Sequence, residues 1–324
     1  MRTKYLIIAA LCLLFSSTSQ GQEPAPSQTP SGPIVNLSLI VTDKDNKGVN
    51  SISRDQISVF EGKIEQTILS IEPDERPVDL VLAIDSSGSF RPLINSALEA
   101  ARLFILNRRP VDQIAVVRFV SSNIIEKTQE FTTDNATLLK SLDQIYLEKG
   151  QSAVIDALYV STQYVAEHNN SNEDRRRVVV IITDGEDRNS YYKEDHLLKL
   201  LREQEVQVFI LGLVLELEKD PRFARPDARS KAEKLLKKVA EESGGRVFFP
   251  ETKEKLTQSA AEILLDLRAQ FRIKYQSTDS ASKNGFRKVD VKSVSTEPDK
   301  LKLIAPRGYY FGPRPPATKP EKKK

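Results

Sequence analysis

The chain has 324 residues, a formal net charge of +3, 39% hydrophobic and 29% charged residues, one cysteine and two histidines. The length exceeds one ordinary domain, and so small a net charge without a clustered basic face is no nucleic-acid signature. The cysteine count excludes a disulfide framework and cysteine-ligated metals, and neither histidine stands in an H-E-x-x-H pattern.

Met1-Arg2-Thr3-Lys4 is a basic start, and Tyr5 to Phe15 is an apolar run followed by small and polar residues. This order predicts a secretory signal over residues 1–21, cut near Gly21, and a secreted or periplasmic protein. The run is short of the ~18 apolar residues of a membrane span, and no later stretch reaches that length, so the mature chain is expected to have no span. Cys12 sits inside this run behind Leu11, where lipidation would require a small residue; the mature chain would then contain no cysteine. Residues 22–33 form a Pro/Ser-rich linker with nothing to bury.

Residues 34–75 read as a β segment. Val35, Leu37, Leu39 and Val41 alternate with other residues, and further strands are expected at 57–60 and 64–71. Asp43 to Gly48 is a polar turn suited to a hairpin connection. From residue 76 the character changes. The runs 78–84, 113–120, 178–183 and 206–215 are near-continuously apolar, as strands buried on both faces are. Amphipathic helices are expected at 91–107, 134–145, 153–168 and 193–204; in the first, Leu93, Ala97, Leu98, Ala101, Phe104 and Ile105 share a stripe. The alternation predicts a doubly wound α/β domain with a mostly parallel sheet. A helix at 229–243 stops at Gly244-Gly245, ahead of a strand at 246–249. A helix at 252–269 then gives way to β pattern at 271–276, 286–294 and 301–304. Arg307-Gly308-Tyr309-Tyr310-Phe311 closes the folded part, and residues 314–324, rich in Pro and Lys, are expected to be disordered.

Three loops of the central region carry oxygen ligands where an apolar strand ends. Asp85-Ser86-Ser87-Gly88-Ser89 follows the first strand, Gly150-Gln151-Ser152-Ala153 precedes a helix, and Thr183-Asp184-Gly185-Glu186 follows the strand at 178–183. Two carboxylates and three hydroxyls at the carboxyl ends of parallel strands read as a site for a hard divalent cation. Each piece alone has an ordinary reading: a turn or helix cap for the first, an N-cap for Ser152, a generic turn for Asp184-Gly185.

Jointly, these residues resemble the von Willebrand factor type A domain over roughly residues 76–250. That family carries a metal-ion-dependent adhesion site built from Asp-x-Ser-x-Ser, a Thr on a second loop and an Asp on a third. Asp85, Ser87 and Ser89 match the first part and Asp184 the last, while Ser152 stands where the family has threonine. The resemblance implies Mg²⁺ (or Mn²⁺) held by these five residues, and a protein ligand whose Asp or Glu completes the coordination. The flanking segments resemble those of secreted bacterial proteins in which β strands bracket a type A domain. That likeness implies that residues 34–75 and 251–313 pair, as a small β-sandwich, around an inserted domain.

Asp156, Gly185 and Glu186 are possible second-shell or rim positions. Glu186 and Asp187 otherwise read as solvated loop charges, Asp156 as a solvated helix residue, and Arg175-Arg176-Arg177 as a solvated strand entry. Tyr191 and Tyr192 are candidates for a contact face or for the core. An enzyme is disfavoured, because Ser87 lacks a nucleophile elbow, no phosphate loop is present and no general base can be named. A structural or assembly subunit of an envelope complex, with metal only stabilising the fold, is the alternative to a binding protein. Neither the partner's identity nor the oligomeric state can be read from these residues.

Overall fold

The computed structural model describes residues 32–168, 174–215, 217, 227–279, 284–294 and 301–313. The expected signal, nearly all of the expected linker and the basic tail therefore lie outside the described residues.

The apolar runs form a six-stranded sheet. Its parallel strands are β4 (Val78–Asp85), β5 (Gln113–Ser121), β7 (Arg176–Thr183), β8 (Gln207–Gly212) and the short β9 (Val247–Phe248). Every residue of β4 is buried, because helices cover both faces. On one face lie α1 (Ile94–Leu106), α2 (Asn135–Asp143) and α6 (Lys253–Arg268), packed on Leu80, Leu82, Ile84, Val178 and Val180. The other face takes α3 (Val154–Glu167), α4 (Glu194–Gln204) and α5 (Ala228–Ser243), against Val81, Ala83, Val179 and Ile181. Period-2 alternation within each strand thus feeds two separate cores.

The sheet also contains β6 (Ile124–Thr132), antiparallel to β5 at the outer edge, which the apolar pattern does not announce. Its sequence IIEKTQEFT is polar because no strand covers its outer side, and Glu126, Lys127 and Glu130 stand along it. Such charges protect an edge from pairing with other chains.

The flanking segments supply β1 (Ile34–Asp43), β2 (Ile57–Glu61), β3 (Ile64–Pro73), β10 (Phe271–Gln276), β11 (Gly285–Ser293), β12 (Leu301–Ile304) and β13 (Gly308–Phe311). They join in one antiparallel sheet of order β12-β1-β10-β3-β2-β11-β13, curled so that β11 comes near β12. Its core holds Val35, Leu37, Leu39, Val41, Val59, Ile273 and Tyr275. Strand β10 lies between β1 and β3, with Phe271 opposite Pro73, so the α/β lobe enters and leaves through adjacent strands. The turn at Asp43 makes no hairpin between neighbouring strands. The Asp43 carboxylate accepts from the Asp45 and Lys47 N–H groups, and a lone Thr42–Gly48 bridge closes it. The partners of β1 are instead β10 and β12, which occupy both its edges.

Helix α5 ends at Ser243, and Gly244 takes a left-handed φ of 71°. Gly245 then passes so close to β8 that a Cβ would lie 1.9 Å from the Val208 carbonyl oxygen. Gly245→Ala is expected to destabilise the protein by about 1–3 kcal/mol in urea denaturation, as overpacking does. Gly48→Ala, whose added Cβ would meet nothing nearer than 3.9 Å, should shift the midpoint far less.

Candidate metal centre

Strands β5 and β7 flank β4, yet the chain leaves β4 toward the α1 face and leaves β7 toward the α4 face. Such a switch point opens a crevice at the carboxyl ends of the strands. Asp85 ends β4, Thr183 ends β7 and Asp184 follows it, so both carboxylates arrive at this crevice.

Asp85 is wholly buried and ringed by donors. Its Oδ1 accepts from the Ser87 N–H at 3.0 Å, and its Oδ2 accepts from Ser152 Oγ at 3.1 Å and Thr183 Oγ1 at 2.9 Å. A second string runs alongside. Ser87 Oγ lies 3.2 Å from Ser89 Oγ, and Ser89 Oγ donates to Asp184 Oδ2 at 3.0 Å. Asp184 Oδ1 accepts from the Glu186 N–H at 3.0 Å. The fold thus brings Asp85, Ser87, Ser89, Ser152 and Asp184 into one cluster.

Burial pushes the Asp85 carboxyl above its ordinary range, against the pull of its hydrogen bonds. Burial and then the neighbouring Asp85 charge do the same to Asp184. Among the described residues, the hydrogen bonds to both carboxylates come from hydroxyls and backbone N–H groups. Two buried, adjacent anions with only neutral donors around them are costly on their own. The oxygens that could hold a cation are two carboxylates and three serine hydroxyls, a set that fits a hard divalent ion. Among the described residues no group of three or more His, Cys, Asp or Glu forms a metal cluster, so the hydroxyls are indispensable to that fit.

Several residues take places other than those their local sequence suggests. Ser152 does not cap α3; Ala153 holds the cap position and the Ser152 hydroxyl turns to Asp85. Asp156 is neither solvated nor among the cluster's hydrogen-bond partners. It is buried, and its two oxygens accept from the Tyr191 and Tyr192 N–H groups, each at 2.8 Å. Glu186 is buried and pairs with Arg188, and Asp187 accepts from the Ile155 N–H and Ser190 Oγ, so neither is a solvated loop charge. The Arg188 N–H donates to the Ser152 carbonyl at 2.8 Å. The loops of Ser152 and Asp184 are therefore welded together around the start of α3. Gly185 fits this loop with a φ of 79°, against Leu236 of α5, where a Cβ would approach Leu236 Cδ1 at 2.7 Å.

Thr183 and Arg118 were not singled out by sequence, although each is a polar residue within or ending an apolar strand. Arg118 is 1% exposed on β5, pairs with Glu126 and Glu148, and lies 4.0 Å from the Tyr146 ring centre. Tyr192 stacks on Tyr159 with ring centres 3.7 Å apart, while Tyr191 is 48% exposed and meets Tyr192 edge-on.

At the opposite edge of the parallel strands, a polar crevice of about 200 Å³ separates the two lobes. The Arg175–Arg177 run lines it and is not a solvated entry. Arg175 pairs with Asp79, and buried Arg176 donates to the Leu267 carbonyl near the end of α6. The run is polar because each arginine reaches a carboxylate or carbonyl at this end of the α/β lobe.

The Asp156 contacts set a measurable cost. Asp156→Asn keeps the shape but leaves one of the two tyrosine N–H groups facing an amide nitrogen. A loss of about 1–3 kcal/mol in chemical denaturation is expected, as for a broken buried hydrogen bond to a charged group. Exposed Asp195→Asn is the control and should change little.

No curated protein matches the chain. Among solved structures, an aerotolerance-related membrane protein from Bacteroides fragilis is similar at 18% identity and a TM-score of 0.45, over 58% of this chain and 98% of that one. The conserved hypothetical protein BatB from Bacteroides thetaiotaomicron is similar at 18% identity and 0.45, over 59% and 98%. Proximal thread matrix protein 1 from the mussel byssus is similar at 18% and 0.45, over 62% and 48%. The family model for the von Willebrand factor type A domain matches residues 79–262, more than half of the sequence. The chain belongs to the von Willebrand factor type A domain family.

Proposed function

We propose that this protein holds Mg²⁺ or Mn²⁺ at Asp85, Ser87, Ser89, Ser152 and Asp184, and uses it to bind a protein partner. The observation that carries the reading is the pair of buried, adjacent carboxylates hydrogen-bonded only by neutral donors. A bound divalent ion supplies positive charge there and retains affinity for one further oxygen ligand. Two carboxylates neutralise a divalent ion without excess, so an Asp or Glu of the partner is the favoured completion. Ser152 orients Asp85 through its hydroxyl, and Thr183 holds the same oxygen from the other side.

The protein acts by binding rather than catalysis. His168 follows the last residue of α3, about 20 Å along the helix from Ser152, and is stacked on Phe131. His196 is exposed in the first turn of α4 and faces its own N-cap. Neither is placed to serve as a base at the cluster. Among the described residues no helix is long and apolar enough to cross a membrane. The basic start and apolar run of Met1 to Phe15 support export to the periplasm or beyond.

Calorimetric titration of Mg²⁺ and Mn²⁺ into metal-stripped mature protein tests the reading. Saturable binding is expected in the wild type and in Ser152→Thr, which keeps the hydroxyl. Binding should be lost in Asp184→Ala and weakened at least tenfold in Ser152→Ala. No saturable binding by the wild type overturns the reading.

A further inference from the structure

The loop that delivers Ser152 has no regular structure of its own. Residues 145–153 form neither helix nor strand. Between Tyr146 and Gln151 the backbone makes one backbone–backbone hydrogen bond among the described residues, from the Glu148 N–H to the Ser86 carbonyl at 3.0 Å. The Ser152 hydroxyl, 3.1 Å from Asp85 Oδ2, therefore rides on a segment that side chains must hold.

Arg118 is placed to hold it. Ile114, Val116 and Arg118 alternate along β5, and the first two enter the core beneath α1 and α2. Arg118 takes the third place in that row, one residue before the β5 position opposite Asp85. Its guanidinium reaches the loop. Nη1 donates to the Tyr146 carbonyl at 3.2 Å, and Nη2 donates to the Tyr146 hydroxyl at 3.0 Å and to Glu148 Oε2 at 2.9 Å. A planar fork serves carbonyl, hydroxyl and carboxylate together, which a lysine ammonium does not. Two contacts carry this hold onward to the cluster. Ser86, bound by the Glu148 N–H, lies in the chain between Asp85 and Ser87. Gly150 rests so close on β5 that a Cβ would lie 2.4 Å from Val120 Cγ1. Arg118 also pairs with Glu126, which stands on β6 and not on the loop.

We propose that Arg118 is a positioning residue of the metal centre: by fixing the loop from Tyr146 to Ser152, it sets where the Ser152 hydroxyl meets Asp85. This rests on the metal-dependent reading above and names what aligns that site. A side chain that only completes the core would affect stability and leave metal affinity alone. A through-space effect of its charge has the opposite sign, because removing a cation near the site would tighten binding of a divalent ion. Loss of a group that orients metal ligands typically costs about 10–100-fold in affinity.

The test titrates Mg²⁺ calorimetrically into metal-stripped mature protein and follows urea denaturation of the same samples. Arg118→Gln is expected to stay folded and to bind Mg²⁺ at least about tenfold more weakly. Glu148→Gln removes only the charged anchor on the loop and should weaken binding by about threefold or more. Glu126→Gln removes the half-exposed pair on β6 and should leave Mg²⁺ affinity within about twofold. A second readout needs no metal. The chain has no tryptophan, so Tyr146→Trp is a lone fluorescent reporter on the loop, and adding Arg118→Gln should lower its anisotropy in EDTA. Where Arg118→Gln fails to fold, the contrast between Glu148→Gln and Glu126→Gln decides. Unchanged or tighter Mg²⁺ binding by folded Arg118→Gln, equal affinities in the two glutamate variants, or unchanged anisotropy overturns the proposal and leaves the metal reading standing. No saturable binding by the wild type overturns the metal reading, and the proposal with it.

Discussion

Two carboxylates buried side by side at the ends of adjacent parallel strands govern this structure. Asp85 and Asp184 are both buried, and among the described residues their hydrogen bonds come only from hydroxyls and backbone N–H groups. Everything near them answers that constraint. The Ser152 and Thr183 hydroxyls donate to Asp85, those of Ser87 and Ser89 lead to Asp184, and Ser87, whose N–H donates to Asp85, belongs to both strings. The loops that carry those hydroxyls must then hold still, because a misplaced donor would leave a buried charge without its partner. Asp156, Asp187 and the Arg188 backbone supply that stillness by fastening the Asp184 loop to the start of α3.

The same constraint separates what the sequence discloses from what it hides. Strands buried on both faces leave uninterrupted apolar runs, so β4, β5, β7 and β8 and the helices between them are legible from pattern alone. Asp85, Ser87 and Ser89 fall within five residues of one loop and are conspicuous where an apolar run breaks. Ser152 and Asp184, about 30 positions apart, join the same reading because each also supplies an oxygen beside an apolar strand or a helix start, and the resemblance then names the five residues as one set. Thr183 was missed because a threonine ending a strand is usually there for its β-branched shape, and nothing local says that its hydroxyl turns inward. The charged residues were the hardest to place. Arg118, Arg175 and Asp156 look solvated in one dimension, yet each side chain is buried against a partner distant in the chain, while Glu186 is buried against Arg188 two residues on. Edge strand β6 escaped for the opposite reason, having too little apolar character to announce a strand.

The polar seam between the lobes follows a different logic from either core. Arg272 of β10 pairs across it with Asp174, Arg307 with Glu241 of α5, and Arg76, itself paired with Asp74 and Asp174, donates to Ser38 of β1. Such contacts favour one orientation through geometry, while contributing less free energy than an apolar contact of similar area. The apolar cores remain private to each lobe, apart from a few residues such as Ile40 and Ile304 that reach the α/β side.

Because Pro73 and Phe271 lie opposite each other on β3 and β10, the α/β lobe hangs from the curled sheet as a pendant on two neighbouring strands. The first and last strands, β1 and β13, both belong to that sheet. Tension applied between the ends of the folded chain is therefore borne by the sheet's own ladders. It enters the α/β lobe only after β3 and β10 part. A load applied at the edge that carries Asp85 and Asp184 takes a different line, through β4 and β7. The architecture thus separates the load path of the chain ends from the load path of that edge.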